Sequence, residues 1–433
     1  MIANSTPSFH FSQRAARTVE QPIGYLMAQA VDNPDVISLA AGLVDYPTLP
    51  SETASKLLGD ILNDPKRSKI ALQYGTTEGL GDLRRMLLEH IASLDEVKVT
   101  ELDASPDDVV ITTGSQQSLF ILTDLLVDPG DIVITAWPSY FVYTGALASF
   151  GARVRSVEMD EQGMVPESLE RVLGEIAEAG ELERVKIVYV CSYHQNPTGL
   201  TLAESRRPRV LDIVKRYSRG HRILLLEDAA YRELTYAGTA PPSIKRWDTE
   251  NRYVALAQTF SKPFAPGLKT GYVLLPRDLV EPMLLQKGSH DFGSVNLVQH
   301  LLAEAIRQGV YAEHVQMLCD HYTHKRDAML EALDEHLGDF EPGQTRWTHP
   351  TGGLYVWLTL PSRLDTGRGS KLFDQAISEG VLYVPGAFCY PADSARTAPC
   401  HHMRLSFGTA GIDQIREGVK RLGRAIRAVG GDQ

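Results

Sequence analysis

The feature of this sequence that most limits its fold is an alternation of short β-branched runs with longer helical patterns. Between about residues 108 and 275 the apolar runs are short and continuous, as in VKIVYV at 185–190 and RILLLE at 222–227. Strands that are apolar on both faces are typical of parallel sheets covered by helices. The pattern therefore predicts an α/β protein whose largely parallel sheet has helices on both faces.

The pattern changes after about residue 278. Long helical stretches cover 294–337 without an intervening strand, and three strands interleaved with helices follow. This predicts a second, smaller α+β domain, packed closely because no Gly/Ser-rich linker separates it. The predicted division is 1–51 for an N-terminal arm and part of the small domain, 52–309 for the large domain, and 310–433 for the small C-terminal domain.

Composition and charge exclude several classes of protein. The 433 residues contain 43 Lys and Arg against 54 Asp and Glu, a net charge of −11, which argues against nucleic-acid binding. The N-terminus has no apolar signal region and no run approaches a membrane span, so we expect a cytoplasmic protein without membrane contact. Four scattered cysteines without a CxxC pair indicate neither a disulfide scaffold nor a zinc ribbon.

No metal site is predicted. His314, His321 and His324 lie at helical spacing in a polar helix, but acidic or cysteine partners around an open position are missing from the pattern. We interpret these histidines as a solvated helix face.

An anion site is predicted where a strand ends and a helix begins, at the segment TGSQQ, residues 113–117. Free N–H groups at a helix N-terminus, together with the Ser115 hydroxyl, can hold a phosphate. The alternative is that Ser115 simply caps the helix. A second polar segment, QNPTG at 195–199, follows a later strand and could also be a plain turn.

Charged residues follow other strand ends. Asp228 directly follows the apolar run RILLLE, at a strand end where open α/β sheets bind ligands. A buried carboxylate needs a cationic partner. Lys262 follows the next strand, and burial there favours the neutral amine that forms a Schiff base. Lys269 adds a positive charge near the anion site. Arg404 can bind a carboxylate through two parallel hydrogen bonds, although a lone Arg is more often a surface residue.

These segments together resemble a known family. The ordered set is GSQQ, PSY at 138–140, QNPTG, DxxY at 228–231, SK at 261–262 followed by PGLK, and RLSFG. From about residue 36 to 425 the chain resembles the fold-type I pyridoxal-phosphate (PLP) enzymes. Within them it is similar to class I/II aminotransferases, in the branch of 2-aminoadipate aminotransferases and the catalytic domains of MocR-type regulators. The resemblance implies a mostly parallel seven-stranded sheet in the large domain, and PLP as cofactor.

The resemblance also implies roles for individual residues. Lys262 would hold the cofactor as an internal aldimine and move a proton between the substrate Cα and the cofactor. Asp228 would keep the pyridine nitrogen protonated. Asn196 and Tyr231 would hydrogen-bond the phenolic oxygen, with Asn196 also near the substrate, and Tyr140 would stack on the ring.

The remaining implied contacts concern phosphate, substrate and partner subunit. Arg404 would bind the substrate α-carboxylate while the Gly42 loop closes over it. Tyr74 would reach the cofactor of the partner subunit in a homodimer. The phosphate would be held by Ser115, Gln116, Thr259, Ser261 and Lys269.

Three positions depart from the family pattern. Lys269 stands where the family usually has Arg, so the phosphate contact would be a point charge. Val44 replaces a proline and His194 replaces an aromatic residue, and we expect both to affect substrate access. Arg14 and Arg17 could bind a distal carboxylate of the substrate. The alternative is that the N-terminal segment is a solvated arm.

The leading functional hypothesis is an aminotransferase that exchanges an amino group between an L-amino acid and a 2-oxo acid, with glutamate and 2-oxoglutarate as one pair, by a ping-pong mechanism. The alternative is a PLP-dependent lyase, decarboxylase or C–C bond-forming enzyme on the same scaffold. A third hypothesis, a regulatory or binding protein that senses PLP, is disfavoured because only about 35 polar residues precede the resemblance and the chain is acidic.

Overall fold

The structure is a computed structural model that describes residues 9–18, 24–25, 29 and 35–431. The strands are β1 (Ile37–Ser38), β2 (Val109–Thr112), β3 (Ile132–Trp137), β4 (Arg153–Asp160), β5 (Gly163–Met164), β6 (Val185–Cys191), β7 (Leu224–Asp228), β8 (Val254–Thr259), β9 (Gly271–Leu274), β10 (Arg346–Trp347), β11 (Tyr355–Thr359), β12 (Val381–Leu382), β13 (Val384–Pro385) and β14 (His402–Ser406). The α-helices are α1 (Gln13–Arg17), α2 (Ser51–Leu62), α3 (Pro65–Leu72), α4 (Gly81–Leu94), α5 (Ser115–Leu126), α6 (Phe141–Phe150), α7 (Pro166–Glu178), α8 (Arg207–Tyr217), α9 (Arg277–Asp291), α10 (Asn296–Arg307), α11 (Val310–Leu337), α12 (Lys371–Ser378) and α13 (Ile412–Gly430).

The largest sheet has the strand order β2-β9-β8-β7-β6-β3-β4-β5. Its central strands β8, β7, β6, β3 and β4 run parallel, whereas β9 runs antiparallel to both β2 and β8. The predicted α/β class is confirmed, but among the described residues the sheet has eight strands and not seven. The additional strand is β5, which pairs with the end of β4 after a tight turn in which Gly163 has φ +87°.

Both faces of this sheet are buried, which explains the continuous apolar runs. In β6, Ile187 and Tyr189 pack with residues of α5 and α6, whereas Val188 and Val190 pack with residues of α7 and α8. Alternate side chains of a strand point to opposite faces, so a two-faced core makes every position apolar.

A second sheet follows in the last third of the chain. It is antiparallel with the order β10-β11-β14-β13, and α11, α12 and α13 share an apolar core with it. The apolar run at 381–384 predicts one strand, but the structure divides it between β12 and β13. Of these, β12 pairs with β1 near the other end of the described chain. The division into 1–51, 52–309 and 310–433 remains a prediction.

One predicted helix is shorter than expected. The pattern at 202–217 predicts a helix over the whole segment, but α8 begins only at Arg207, after a short 3-10 turn at Glu204–Arg206. Pro208 explains this start, because proline fits the first helical turn and lacks the N–H that an interior position donates.

Across residues 9–18, 24–25, 29 and 35–431, we find no helix with the length and apolar character that crossing a bilayer requires.

Candidate active site

A cavity of about 450 Å³ lies at the carboxyl ends of the central strands, beside the second sheet. Its walls come from both sheets and from the loop that follows β1. It brings together twelve predicted site residues, namely Gly42, Ser115, Gln116, Tyr140, Asn196, Asp228, Tyr231, Thr259, Ser261, Lys262, Lys269 and Arg404.

The anion site is built from the start of α5. Gly114 precedes the helix with φ 72°, and no side chain caps it, so the idea that Ser115 caps the helix is wrong. The Gln117 side chain accepts a hydrogen bond from the Thr113 N–H at 2.8 Å and fixes the turn. A Cβ at Gly271 would lie 2.7 Å from the Ser115 nitrogen, so β9 approaches this turn closely only because it has glycine there.

The other part of the anion site follows β8. The Thr259 hydroxyl donates to the Ser261 hydroxyl at 2.9 Å and accepts from the Ser261 N–H at 3.1 Å, which ties the two hydroxyls together. Lys269 has a left-handed backbone with φ 48°, an unusual conformation for lysine, and its exposed side chain is at the cavity edge. Hydroxyls, helix N–H groups and an ammonium are the groups that hold phosphate.

Asp228 ends β7 and is only 4% exposed. Its carboxylate accepts hydrogen bonds from the Tyr189 hydroxyl at 2.9 Å and from the Ala230 N–H at 3.1 Å. Burial is the main reason why its pKa is raised from 3.8 to about 6. Among the described residues no cation pairs with this carboxylate, so a cationic ligand in the cavity would relieve the cost of burying it.

Lys262 follows the end of β8 and is partly buried. Its Nζ donates a hydrogen bond to the Gly42 carbonyl at 2.7 Å and lies 5.7 Å from the centre of the Tyr231 ring. The lysine that was predicted to carry the cofactor therefore contacts the loop that was predicted to close over the substrate.

Arg404 lies in β14 and is 1% exposed. Its guanidinium donates to the Asn196 side-chain oxygen at 2.9 Å and to the Ala40 carbonyl at 2.7 Å. Its Nε has no hydrogen-bond partner among the described residues. A buried guanidinium with an unused donor at a cavity wall suits a carboxylate ligand.

Two tyrosines that sequence reasoning missed complete the site. Tyr189 holds Asp228, and Tyr355 lines the cavity with its hydroxyl 2.9 Å from that of Tyr231. The sequence places Tyr355 in a predicted strand, but only the pairing of that strand with the strand of Arg404 brings it to the cavity. β11 pairs with β14, so Trp357 lies opposite Arg404 and Tyr355 is a diagonal neighbour of Arg404 on the same sheet.

Other predicted residues lie outside this cavity. Tyr74 is 83% exposed and its ring contacts Phe292. Arg14 pairs with Asp124 at 3.1 Å, and Arg17 donates to the Ser149 carbonyl. These two arginines contact α5 and α6, so their segment is not a free solvated arm. Neither arginine lines the cavity of its own chain.

Val44 and His194 do not line the cavity, and their effect on substrate access stays a prediction. His194 hydrogen-bonds Thr201 and Thr235, and burial lowers its pKa to about 3, so it is a neutral packing residue. Val44 is buried beside the Gly42 loop.

The predicted solvated histidine face is also partly wrong. His321 lies 3.0 Å from the Asp45 carboxylate, and the half-buried His314 packs edge-on against Phe264. Within the part of the chain that the structure describes, no group of three or more His, Cys, Asp or Glu side chains could hold a metal ion.

Comparison with known proteins shows the family. Residues 34–422 match the family described as aminotransferase class I and II. The chain belongs to this family. It is 34% identical over 419 residues to aromatic-amino-acid aminotransferase 1 of Thermococcus litoralis, covering 96% of this chain and 94% of that protein. It is 32% identical to 2-aminoadipate transaminase of Thermus thermophilus, over 97% of each chain.

The fold comparison gives the same result. The crystal structure of a multiple substrate aminotransferase from Thermococcus profundus matches with a TM-score of 0.87 and 33% identity, over 98% of each chain. The fold-type I resemblance is therefore confirmed, and the chain is a PLP-dependent aminotransferase.

Proposed function

We propose that this aminotransferase works by a ping-pong mechanism, in which it takes an amino group from an L-amino acid and then gives it to a 2-oxo acid. Glutamate and 2-oxoglutarate would be one such pair. The observation that carries the proposal is the meeting of Lys262, Asp228 and Arg404 in one cavity. An amine, a buried carboxylate without a cation and a buried guanidinium are the groups that this chemistry requires.

The residues present fit PLP. Asp228, buried with a raised pKa, would face the pyridine nitrogen and hold a proton there. Tyr231 and Asn196 would contact the phenolic oxygen, Tyr140 would cover the ring, and the phosphate would bind to Ser115, Gln116, Thr259, Ser261 and Lys269. When bound, PLP supplies an electron sink that makes the Cα proton of an amino acid acidic.

The chain's own residues would direct the proton. Arg404 would bind the α-carboxylate and so present the Cα–H bond to the Lys262 amine. Lys262 would accept that proton at Nζ and later return it. The Gly42 carbonyl, 2.7 Å from Nζ, would accept a hydrogen bond from the protonated amine between these transfers.

A homodimer is part of the proposal, with Tyr74 reaching the partner's cofactor. Tyr74 lies outside its own cavity in an exposed apolar region that includes Ile70, Leu72 and Phe292. Burying such a region between two copies would favour association. Tyr74→Ala is expected to weaken PLP binding, measured by fluorescence titration. Unchanged PLP affinity in a dimeric Tyr74→Ala protein would refute the contact across subunits.

The test of the reaction is a single half-reaction. PLP-loaded protein is mixed with one L-amino acid and no acceptor, and the released products are quantified. We expect up to one equivalent of 2-oxo acid per subunit, followed by turnover only when a second 2-oxo acid is added. Release of carbon dioxide, or cleavage of the side chain in place of 2-oxo acid, would instead support the lyase or decarboxylase alternative.

A further inference from the structure

Two buried phenols meet at the wall of the cavity. The hydroxyls of Tyr231 and Tyr355 are 2.9 Å apart, and the two rings are nearly perpendicular at 76°. Tyr231 is 5% exposed and Tyr355 is 1% exposed, and both line the cavity. The contact joins the two sheets, because Tyr231 follows β7 of the large sheet and Tyr355 begins β11 of the small one.

Only one of these hydroxyls can donate to the other. Each phenol has one proton and can accept hydrogen bonds at its oxygen. If Tyr231 donates to Tyr355, its proton is used and a ligand cannot receive it. If Tyr355 donates to Tyr231, the Tyr231 proton is free to point into the cavity.

The surroundings favour Tyr355 as the donor. The guanidinium carbon of Arg404 lies 4.4 Å from the centre of the Tyr355 ring. A guanidinium has donors only, so it offers no acceptor for the Tyr355 proton, and its positive charge polarises the phenol toward donation. The Tyr231 oxygen is then the acceptor.

We propose that Tyr355 is a positioning residue that donates to Tyr231 and thereby directs the Tyr231 proton to the phenolic oxygen of the bound cofactor. The inference rests on the proposed function, in which Tyr231 contacts that oxygen. Consecutive hydrogen bonds polarise one another, so Tyr231 becomes a stronger donor than a lone phenol.

Gly42 leaves the space that the Tyr355 hydroxyl occupies. A Cβ at this position would lie 2.7 Å from the Tyr355 hydroxyl and 3.9 Å from an Arg404 nitrogen. The hydroxyl therefore occupies space that only glycine leaves open. Because the Gly42 carbonyl also accepts from Lys262, the Tyr355 hydroxyl borders the loop that contacts the catalytic amine.

The test uses the PLP-loaded enzyme and the pH at which its visible absorption band changes. A donor to the phenolic oxygen stabilises the deprotonated form of the chromophore, in which that oxygen carries more negative charge. Tyr355→Phe weakens this donor and should raise the midpoint by about 0.3 to 1 pH unit, the range that one hydrogen bond supplies. Tyr231→Phe removes the donor and should raise the midpoint further.

The double variant separates positioning from a direct effect. If Tyr355 acts through Tyr231, the Tyr231→Phe/Tyr355→Phe protein has the same midpoint as Tyr231→Phe alone. The matched control is Tyr383→Phe, since Tyr383 is equally buried but donates to the Thr366 carbonyl and does not line the cavity. Its midpoint should equal that of the wild type.

Two results overturn this inference without affecting the proposed function. The first is a Tyr355→Phe protein that keeps the visible band and has an unchanged midpoint. The second is a double variant whose midpoint shift equals the sum of the two single shifts. A wild-type protein that develops no visible band with PLP overturns the proposed function as well. Circular dichroism of each variant confirms that it is folded.

Discussion

Replacing Asp228 by Asn should stabilise the cofactor-free protein while impairing cofactor binding. The folded protein holds the Asp228 proton until about pH 6, whereas the ordinary pKa is 3.8. Between these values the folded state binds more protons than the unfolded state, so stability falls as pH rises through this window. Above pH 6 Asp228 is charged in the folded protein, and the full loss in the free energy of unfolding has been reached. The pKa difference corresponds to about 3 kcal/mol as an upper estimate.

The assay is urea unfolding of the cofactor-free protein at several pH values. At pH 7.5 we expect Asp228→Asn to raise the free energy of unfolding by about 1–3 kcal/mol, because the amide removes the buried charge. Its oxygen can still accept from the Ala230 N–H. The gain should shrink toward zero as the pH approaches 4. Added PLP should stabilise the wild type much more than the variant, since only the carboxylate can pair with a protonated pyridine.

The control is Asp60→Asn, because Asp60 is exposed on α2 and does not line the cavity. Its stability should not show this pH-dependent gain. The reasoning is refuted if Asp228→Asn is less stable than the wild type at pH 7.5 without cofactor. A gain of the same size at pH 4 and pH 7.5 would refute it equally, because a charge effect must follow the titration.

The remaining predictions concern Lys262, Arg404 and the ion pair of Asp45 with Lys325. Lys262→Ala should slow the first half-reaction by about 10²–10⁴-fold in rapid-mixing experiments, and a normal rate would exclude Lys262 as the base. Arg404→Lys should raise KM for the amino acid about tenfold or more, because a point charge replaces a planar donor, and an unchanged KM contradicts the assignment. Asp45→Asn should lower the free energy of unfolding by about 3–5 kcal/mol, because it leaves Lys325 buried without its partner at 2.6 Å. The double change with Lys325→Met should restore much of this loss, and no recovery would show that the ion pair is not the cause.

The sequence predicted the site to the extent that the site is local. Asp228 and Lys262 could be placed because each follows an apolar run that had to be a central strand, and parallel strands end at one edge of the sheet. The anion site could be placed because Gly114 and Ser115 lie where a strand gives way to a helix. The positions of such residues can be predicted because they follow from patterns of neighbouring residues in the sequence.

Local patterns did not reveal the positive-φ backbone conformations of Gly114 and His194. Ser115 was a plausible helix cap until the structure placed Gly114 in that position. His194 departs from the family pattern before QNPTG, and with φ 41° its side chain hydrogen-bonds Thr201 and Thr235.

The sequence by itself determined the layered α/β architecture, the family and twelve of the residues that line the cavity, because strand periodicity and strand-end motifs are present in consecutive residues. Tertiary structure alone decided which groups touch. Arg404 meets Ala40 across 364 positions, and Tyr231 meets Tyr355 across 124. Contacts of this kind arise from many weak packing interactions between distant parts of the chain, so no short segment of sequence predicts them.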